Sequence, residues 1–168
     1  LKDAKRPLII SGSSLLSDSL VKSAAVIASR LAVDNKQTML SYCIPESNSL
    51  GVALLAEDTK SIEELIIRAD KFDVLLLLEN DLHRRISPDQ IDQLKNSGVK
   101  LVGLDVLENE TLSACDLVLP VASYAESEGT LINSEGRAQR HYPVFEPAAE
   151  RMPSWKWILE LATVCEHT

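Results

Sequence analysis

No apolar run in this chain approaches the roughly 18 residues of a membrane-spanning helix; the longest, VLLLL at Val74–Leu78, suits a buried strand. A surplus of basic residues is also lacking. Seventeen Lys and Arg stand against 25 Asp and Glu, a net charge of −8. Nucleic acid and anionic membrane both demand excess positive charge, so neither is expected as a partner, and direct membrane insertion is not expected. Cysteine is scarce: Cys43, Cys115 and Cys165 lie far apart, without a C-x-x-C or a Cys/His cluster at ligand spacing. They are expected to be buried core thiols in a reducing compartment, and ligation of an iron–sulfur cluster by this chain alone is not expected. The chain has no G-x-S-x-G, no G-x-G-x-x-G and no P-loop lysine. The three histidines, His83, His141 and His167, occupy unrelated settings. His83 beside Arg84 and Arg85 is expected on a surface turn, and His167 in a frayed terminus. The opening LKDAKRP does not read as a signal peptide. With Leu rather than Met at position 1, the sequence is expected to be a piece of a longer protein.

What the chain does have is length and apolar content for one core: 168 residues, 45% of them hydrophobic. A chain of this size buries about 70% of its unfolded surface. PLIISG reads as a strand ending in Gly12, and SDSLVKSAAVIASRLA as a helix with Leu20, Ala24, Ile27, Ala28 and Leu31 on one face. Ser17 or Ser19 is expected to cap it. TMLSYCIP is a strand stopped by Pro45, NSLGVALLAE a short helix, and SIEEL a capping box opening a helix to about Asp70. DVLLLLEN, apolar on both faces, predicts a central parallel strand. SPDQIDQLKNSG carries the fullest helix signature: Ser87 as cap, Pro88 first, Gln90 closing the box, Gly98 ending it. KLVGLDV and DLVLP complete the strands.

Strands alternating with helices predict an α/β fold, a three-layer Rossmann-like domain with a mostly parallel sheet over residues 1–120. A long irregular connecting segment, 121–150, follows. A C-terminal helix over 151–168 packs back or onto a neighbouring domain. In that helix Trp155, Ile158, Leu159 and Ala162 are expected on one side, with Ser154 a possible cap. Trp155 and Trp157 point about 200° apart, so one of them needs a second surface.

Ligands of open α/β sheets sit at the carboxyl ends of strands. Those ends offer Gly12-Ser13-Ser14, Glu79-Asn80-Asp81 and Asp105. A phosphate at the Gly12–Ser13 turn competes with plain turn and capping roles. Asp105 can meet a ribose hydroxyl, and Glu79 with Asp81 can form a carboxylate pair or a solvated edge. The stretch YAESEGTLINSEGRAQRHYP adds Glu128, Glu135, Arg137 and Arg140 around Gly129 and Gly136. These charges can pair with one another, or Arg137 can present its fork to an anion.

DLVLPVASYAESEGTLINSEGRAQ resembles the D-x-V-L-P…E-x-E-G-T-x-x-N-x-E-G-R-x-Q signature of the molybdopterin oxidoreductase superfamily, which includes formate dehydrogenases and nitrate reductases. PLIISGSSLLSDSLVKSAAVIA, ESNSLGVALLAE and VLLLLENDLHRR are similar to the G-subunit family of bacterial NADH-quinone oxidoreductase, the large iron–sulfur component of respiratory complex I. The likeness runs to PSWKWILELA. The resemblance implies an oxidoreductase parent that passes electrons from NADH to quinone and carries its iron–sulfur clusters outside this chain. It implies a structural, non-catalytic domain here, with no cofactor of its own. Glu128, Thr130, Asn133, Glu135 and Arg137 are then architectural here, inherited from a cofactor-clamping ancestor, and Gly12, Ser13, Asp105, Glu128, Thr130, Asn133 and Arg137 are the vestigial candidates for cofactor binding. The implied partners are other domains of the same polypeptide and other peripheral-arm proteins of complex I. The implied location is cytoplasmic, at the cytoplasmic face of the bacterial inner membrane. Two alternatives stay open: a cofactor-binding domain of an active molybdopterin oxidoreductase, and a free nucleotide-binding domain such as those of thiamine-dependent or electron-transfer flavoproteins.

Overall fold

The structure is a computed structural model describing residues 3–166 apart from Leu16, Pro45 and Asp58. The readings made for Leu1, the Pro45 strand stop and His167 lie outside the described residues. The fold is α/β, its longer strands paired in parallel. Among the described residues no helix is long and apolar enough to cross a membrane. Contacts divide the chain into two compact units, Leu1–Glu57 with Thr130–Gln139, and Asp58–Gly129 with Arg140–Thr168.

In the first unit β1 (Leu8–Gly12) pairs in parallel with β2 (Met39–Cys43), Leu8 opposite Met39 and Gly12 opposite Cys43. Helix α1 (Asp18–Asp34) makes the crossover. Of its two candidate caps, Ser17 acts: its hydroxyl accepts from the Leu20 amide at 3.3 Å. The expected apolar face is only partly used. Ala24 and Ala28 are buried, while Leu20 and Ile27 stay exposed. Two alanines one turn apart let the helix backbone lie close, and the Tyr42 hydroxyl donates to the Val21 carbonyl at 2.9 Å. Helix α2 (Ser49–Leu55) follows.

The second unit opens with α3 (Ile62–Ile67), where Ser61 accepts from the Glu64 amide as its sequence predicts. The Glu64 carboxylate turns to Arg68 at 3.6 Å instead of reaching back to the cap. A 3-10 turn (Ala69–Lys71) leads to β3 (Val74–Leu78). Helix α4 (Pro88–Asn96) carries the full capping box, with Ser87 and Gln90 bonded both ways. Strands β4 (Lys100–Asp105) and β5 (Leu117–Pro120) flank α5 (Glu110–Ser113), a single turn that the sequence pattern does not suggest.

One expectation needs correction. Within the second unit's sheet the strand order is β3-β4-β5, so there β4 is the central strand and the apolar run of β3 is not. Val74, Leu76 and Leu78 are exposed, while Leu77 is buried. Hydrophobicity on both faces reports apolar side chains, whereas pairing partners decide which strand is central. The parallel pairing expected of the strands is present in each unit, β1-β2 in the first and β3-β4-β5 in the second.

The core gathers Ile66 and Ala69, Leu77, Ile91 and Leu94, and Val99 and Leu101 between β3, β4 and the helices beside them. Each large apolar side chain so buried contributes about 1.5–3 kcal/mol. Segment 121–150 is irregular for most of its length but holds a 3-10 turn (Tyr124–Glu126) and two short paired strands, β6 (Gly129–Ile132) and β7 (Ala138–His141).

Helix α6 (Ser154–Glu166) begins at Ser154 itself, so that serine is a first helical residue rather than a cap. Its sheltered side is Trp157, Ile158 and Leu161, while Trp155, Leu159 and Ala162 are exposed. The sheltered face therefore differs from the expected one, although one tryptophan does turn inward. The Trp157 indole donates to the Pro120 carbonyl at 2.8 Å, which holds α6 against the end of β5. The cysteines also depart from expectation: Cys43 and Cys165 are exposed and Cys115 is half-buried. Cys43 ends a strand paired on one side, and Cys165 lies on the open side of the last turn of α6.

Candidate functional site

The signature stretch begins at the buried Glu126, which the sequence reading leaves unassigned. Its carboxylate accepts from the Ser123 amide at 2.8 Å and from Arg151 Nη2 at 2.9 Å, and only 5% of the side chain is exposed. Ser123-Tyr-Ala-Glu126 is an S-x-x-E capping pattern, so the signal is present in the sequence. The Ser123 amide, then its hydroxyl, then the Arg151 charge hold the Glu126 carboxyl below its ordinary range. Arg151 in turn donates Nε to the Ala148 carbonyl at 3.0 Å. The Ala122 amide donates to the Met152 carbonyl, and the Val144 amide to the Ala125 carbonyl. The ion pair thus fastens the chain leaving β5 to the chain entering α6.

Glu128 pairs with Arg140 Nη2 at 2.8 Å, and the Arg140 guanidinium lies 5.3 Å from the Tyr142 ring centre. This is the self-pairing reading for two of the four charges. Glu135 and Arg137 are exposed, and among the described residues neither has an ion pair. Asn133 builds the turn between β6 and β7. Its Oδ1 accepts from the Glu135 amide at 3.0 Å and the Arg137 amide at 2.9 Å, and its carbonyl accepts from Gly136. Gly136 sits at φ +78°, a region costly for residues with a Cβ. Replacing it by Ala is expected to cost more than about 1 kcal/mol, read as a lowered Tm. Gly129 has no positive φ; it is small for another reason. A Cβ there would stand 2.9 Å from Nε2 of His141, whose ring packs on Tyr124 at 4.5 Å. Asn48, in the loop before α2, is also missed by the sequence reading: its Oδ1 accepts from the Ile132 amide at 2.8 Å and holds β6 in the first unit. Thr130 is exposed.

The strand-end candidates are similarly engaged. Gly12 admits a close neighbour, since a Cβ there would lie 2.6 Å from the Cys43 carbonyl oxygen. Ser13 is exposed. Asp18, in the first turn of α1, pairs with Lys22 at 2.6 Å and places a carboxylate where a phosphate would bind. Asp105 accepts from its neighbouring Val106 amide at 2.7 Å and from Asn109 Nδ2 at 2.9 Å. Asp81 accepts from Thr111 Oγ1 at 2.7 Å, and that oxygen accepts from the Leu82 amide at 2.8 Å. Glu79 sits at φ +48° with its amide on the Leu104 carbonyl. His83 lies on a 3-10 turn (Leu82–Arg84), 3.2 Å from Glu110.

Gly12, Ser13, Thr130, Asn133 and Arg137 fall in the first unit, and Asp105 and Glu128 in the second. A bound pterin dinucleotide needs backbone amides facing a diphosphate and free polar side chains around it. Taken one by one, several of these residues are already engaged within the protein. Gly12 packs against the Cys43 carbonyl, the nearby helix start is acidic, and Asp105, Glu128 and Asn133 each hold hydrogen bonds within the protein. Among the described residues, no three His, Cys, Asp or Glu side chains gather as a metal site.

The family model for molybdopterin oxidoreductase matches residues 1–164. A protein of Pseudomonas putida, named as the G subunit of NADH-quinone oxidoreductase, is 36% identical over 160 residues, 92% of this chain and 18% of its own. The protein of the same name from Shewanella oneidensis is 37% identical over 174 residues, with 99% and 19% covered. That of Escherichia coli O6:H1 is 33% identical over 168 residues, with 96% and 18% covered. The chain therefore spans about a fifth of the length of these relatives. With a match running almost from end to end and the E-x-E-G-T…N-x-E-G-R side chains in place, the chain belongs to the molybdopterin oxidoreductase family.

Proposed function

We propose that this chain is the molybdopterin-oxidoreductase-like region of the G subunit of an NADH-quinone oxidoreductase, a scaffold whose parent holds its electron carriers elsewhere. The observation that carries this reading is the inward commitment of the signature. Glu126 is spent on Ser123 and Arg151, Glu128 on Arg140, and Asn133 on its own turn. A loop that clamps a ligand keeps such groups free for it; a loop that joins structural pieces satisfies them internally. The wide separation of the cysteines supports the same reading, because clusters need closely spaced thiolates. The partners proposed are other domains of the parent and other peripheral-arm proteins, at the cytoplasmic face of the bacterial inner membrane.

The test is to tag the full-length parent and purify it under mild conditions. NADH-driven quinone reduction is expected to co-purify with it, and Arg137→Ala is expected to leave the rate and the iron content unchanged. A formate-oxidising or nitrate-reducing activity in its place would overturn the assignment. Loss of activity on Arg137→Ala, with the fold intact, would show that the exposed guanidinium serves a ligand.

A further inference from the structure

A cavity of about 410 Å³ opens at the carboxyl ends of β4 and β5. Its apolar wall includes Leu107, Leu112, Val118 and Pro120, and its acidic residues are Asp105 and Glu108. All of them lie in the second unit. The volume is in the range of small-ligand sites, but the polar groups argue against a small polar ligand. Asp105 is held by Val106 and Asn109, the Asn109 side chain caps Leu112, and the Ser113 hydroxyl donates to the Asn109 carbonyl. No side-chain donor among these is left to orient such a molecule, and two carboxylates repel anything carrying phosphate. Leu107 is 74% exposed and Val118 43%, so the apolar wall continues onto the open surface. Glu108 has no ion pair among the described residues.

An apolar hollow with a free carboxylate beside it matches one kind of visitor: an apolar anchor next to a cation. We propose that this pocket seats a Leu-, Met- or aromatic-type side chain of a partner protein segment that carries Lys or Arg beside that anchor. The inference stands on the pocket itself and does not require the parent to belong to an NADH-quinone oxidoreductase.

A photo-crosslinking amino acid placed at Leu107 of the full-length parent, in its native complex, tests this. Because Leu107 is exposed, the replacement leaves the core intact, and the same probe at Ser113 provides a second position. The expected product is an adduct to one peptide with Lys or Arg within a few residues of the captured site. Glu108→Lys is expected to lower its yield several-fold, with the yield of the unaltered protein falling as salt is raised. No adduct from either position, an adduct to lipid or nucleotide, an adduct to a peptide without a neighbouring cation, or a yield indifferent to Glu108→Lys would each overturn the proposal.

Discussion

Glu126→Gln is expected to lower Tm by roughly 5 °C or more, because it removes the charge that Arg151 faces and leaves a mismatched amide in a closed site. Both partners anchor backbone on either side of a long connection, so the damage spreads to the docking of α6 as well. The pH dependence has a definite sign. The Glu126 carboxyl titrates below its ordinary range in the folded chain, chiefly through the Ser123 amide, then its hydroxyl and then Arg151. A depressed folded value gives stability that is fully present above the unfolded value, about 4.3, and is lost as pH falls through the folded one. Unfolding monitored by circular dichroism should show the wild type losing stability below about pH 4.5. Asp116 is lowered as well, through Lys100 first and the Leu101 amide next, so it adds a smaller, solvent-screened contribution that is lost only below about pH 3.9. Glu126→Gln should therefore flatten the acid limb without abolishing it. An unchanged Tm at pH 7, with an unchanged acid limb, would mean the pair is incidental.

Gly103→Val is expected to be the most damaging single change in the second unit. Gly103 lies in the central strand β4, and a Cβ there would meet the Leu112 side chain and stand 2.9 Å from Cys115 Sγ. Both neighbours belong to the segment that crosses from β4 to β5; the Leu112 methyl can turn aside, but Cys115 Sγ is held by its bond to the Thr111 carbonyl. The thiol donates there at 3.3 Å, and Thr111 is itself buried on Asp81. Overpacking of this kind costs about 1–3 kcal/mol, and a branched side chain belongs at the upper end. Gly103→Ala should lie at the lower end, with Leu112→Ala in the same chain restoring part of the loss by making room. Equal Tm values for wild type and Gly103→Val would show that β4 and α5 are not packed as described.

Much of this architecture is written in short-range pattern. Helix α4 is legible because Ser87, Pro88 and Gln90 act within one turn of each other. The strands β1, β2, β4 and β5 are legible because short apolar runs lie between turn residues. What escapes depends on partners far away in the chain. The run VLLLL has the composition of a central strand, yet within the second unit's sheet β4 takes that place. The sheltered side of α6 is easily misread because Trp155 and Trp157 both look like core residues, and only the Pro120 carbonyl distinguishes them. Cys43 and Cys165 look like core thiols by type and are exposed by position.

In the signature stretch, the Glu128–Arg140 pair is among the alternatives that the charges themselves suggest. Glu126, deeper in the structure, escapes although Ser123 stands three residues before it in a recognised capping pattern. Asn48 cannot be found that way, since its partner Ile132 is distant in sequence. Gly129 and Gly136 look alike in the sequence, yet one is set by a side chain above it and the other by its own backbone angle.

The most direct measurement is elemental and nucleotide analysis of the gently purified full-length parent, counting molybdenum and guanine nucleotide per polypeptide. A scaffold whose signature residues are spent on one another predicts far less than one of either per chain, unchanged by Arg137→Ala. One molybdenum and one pterin-linked guanine nucleotide per chain, lost on Arg137→Ala, would contradict it.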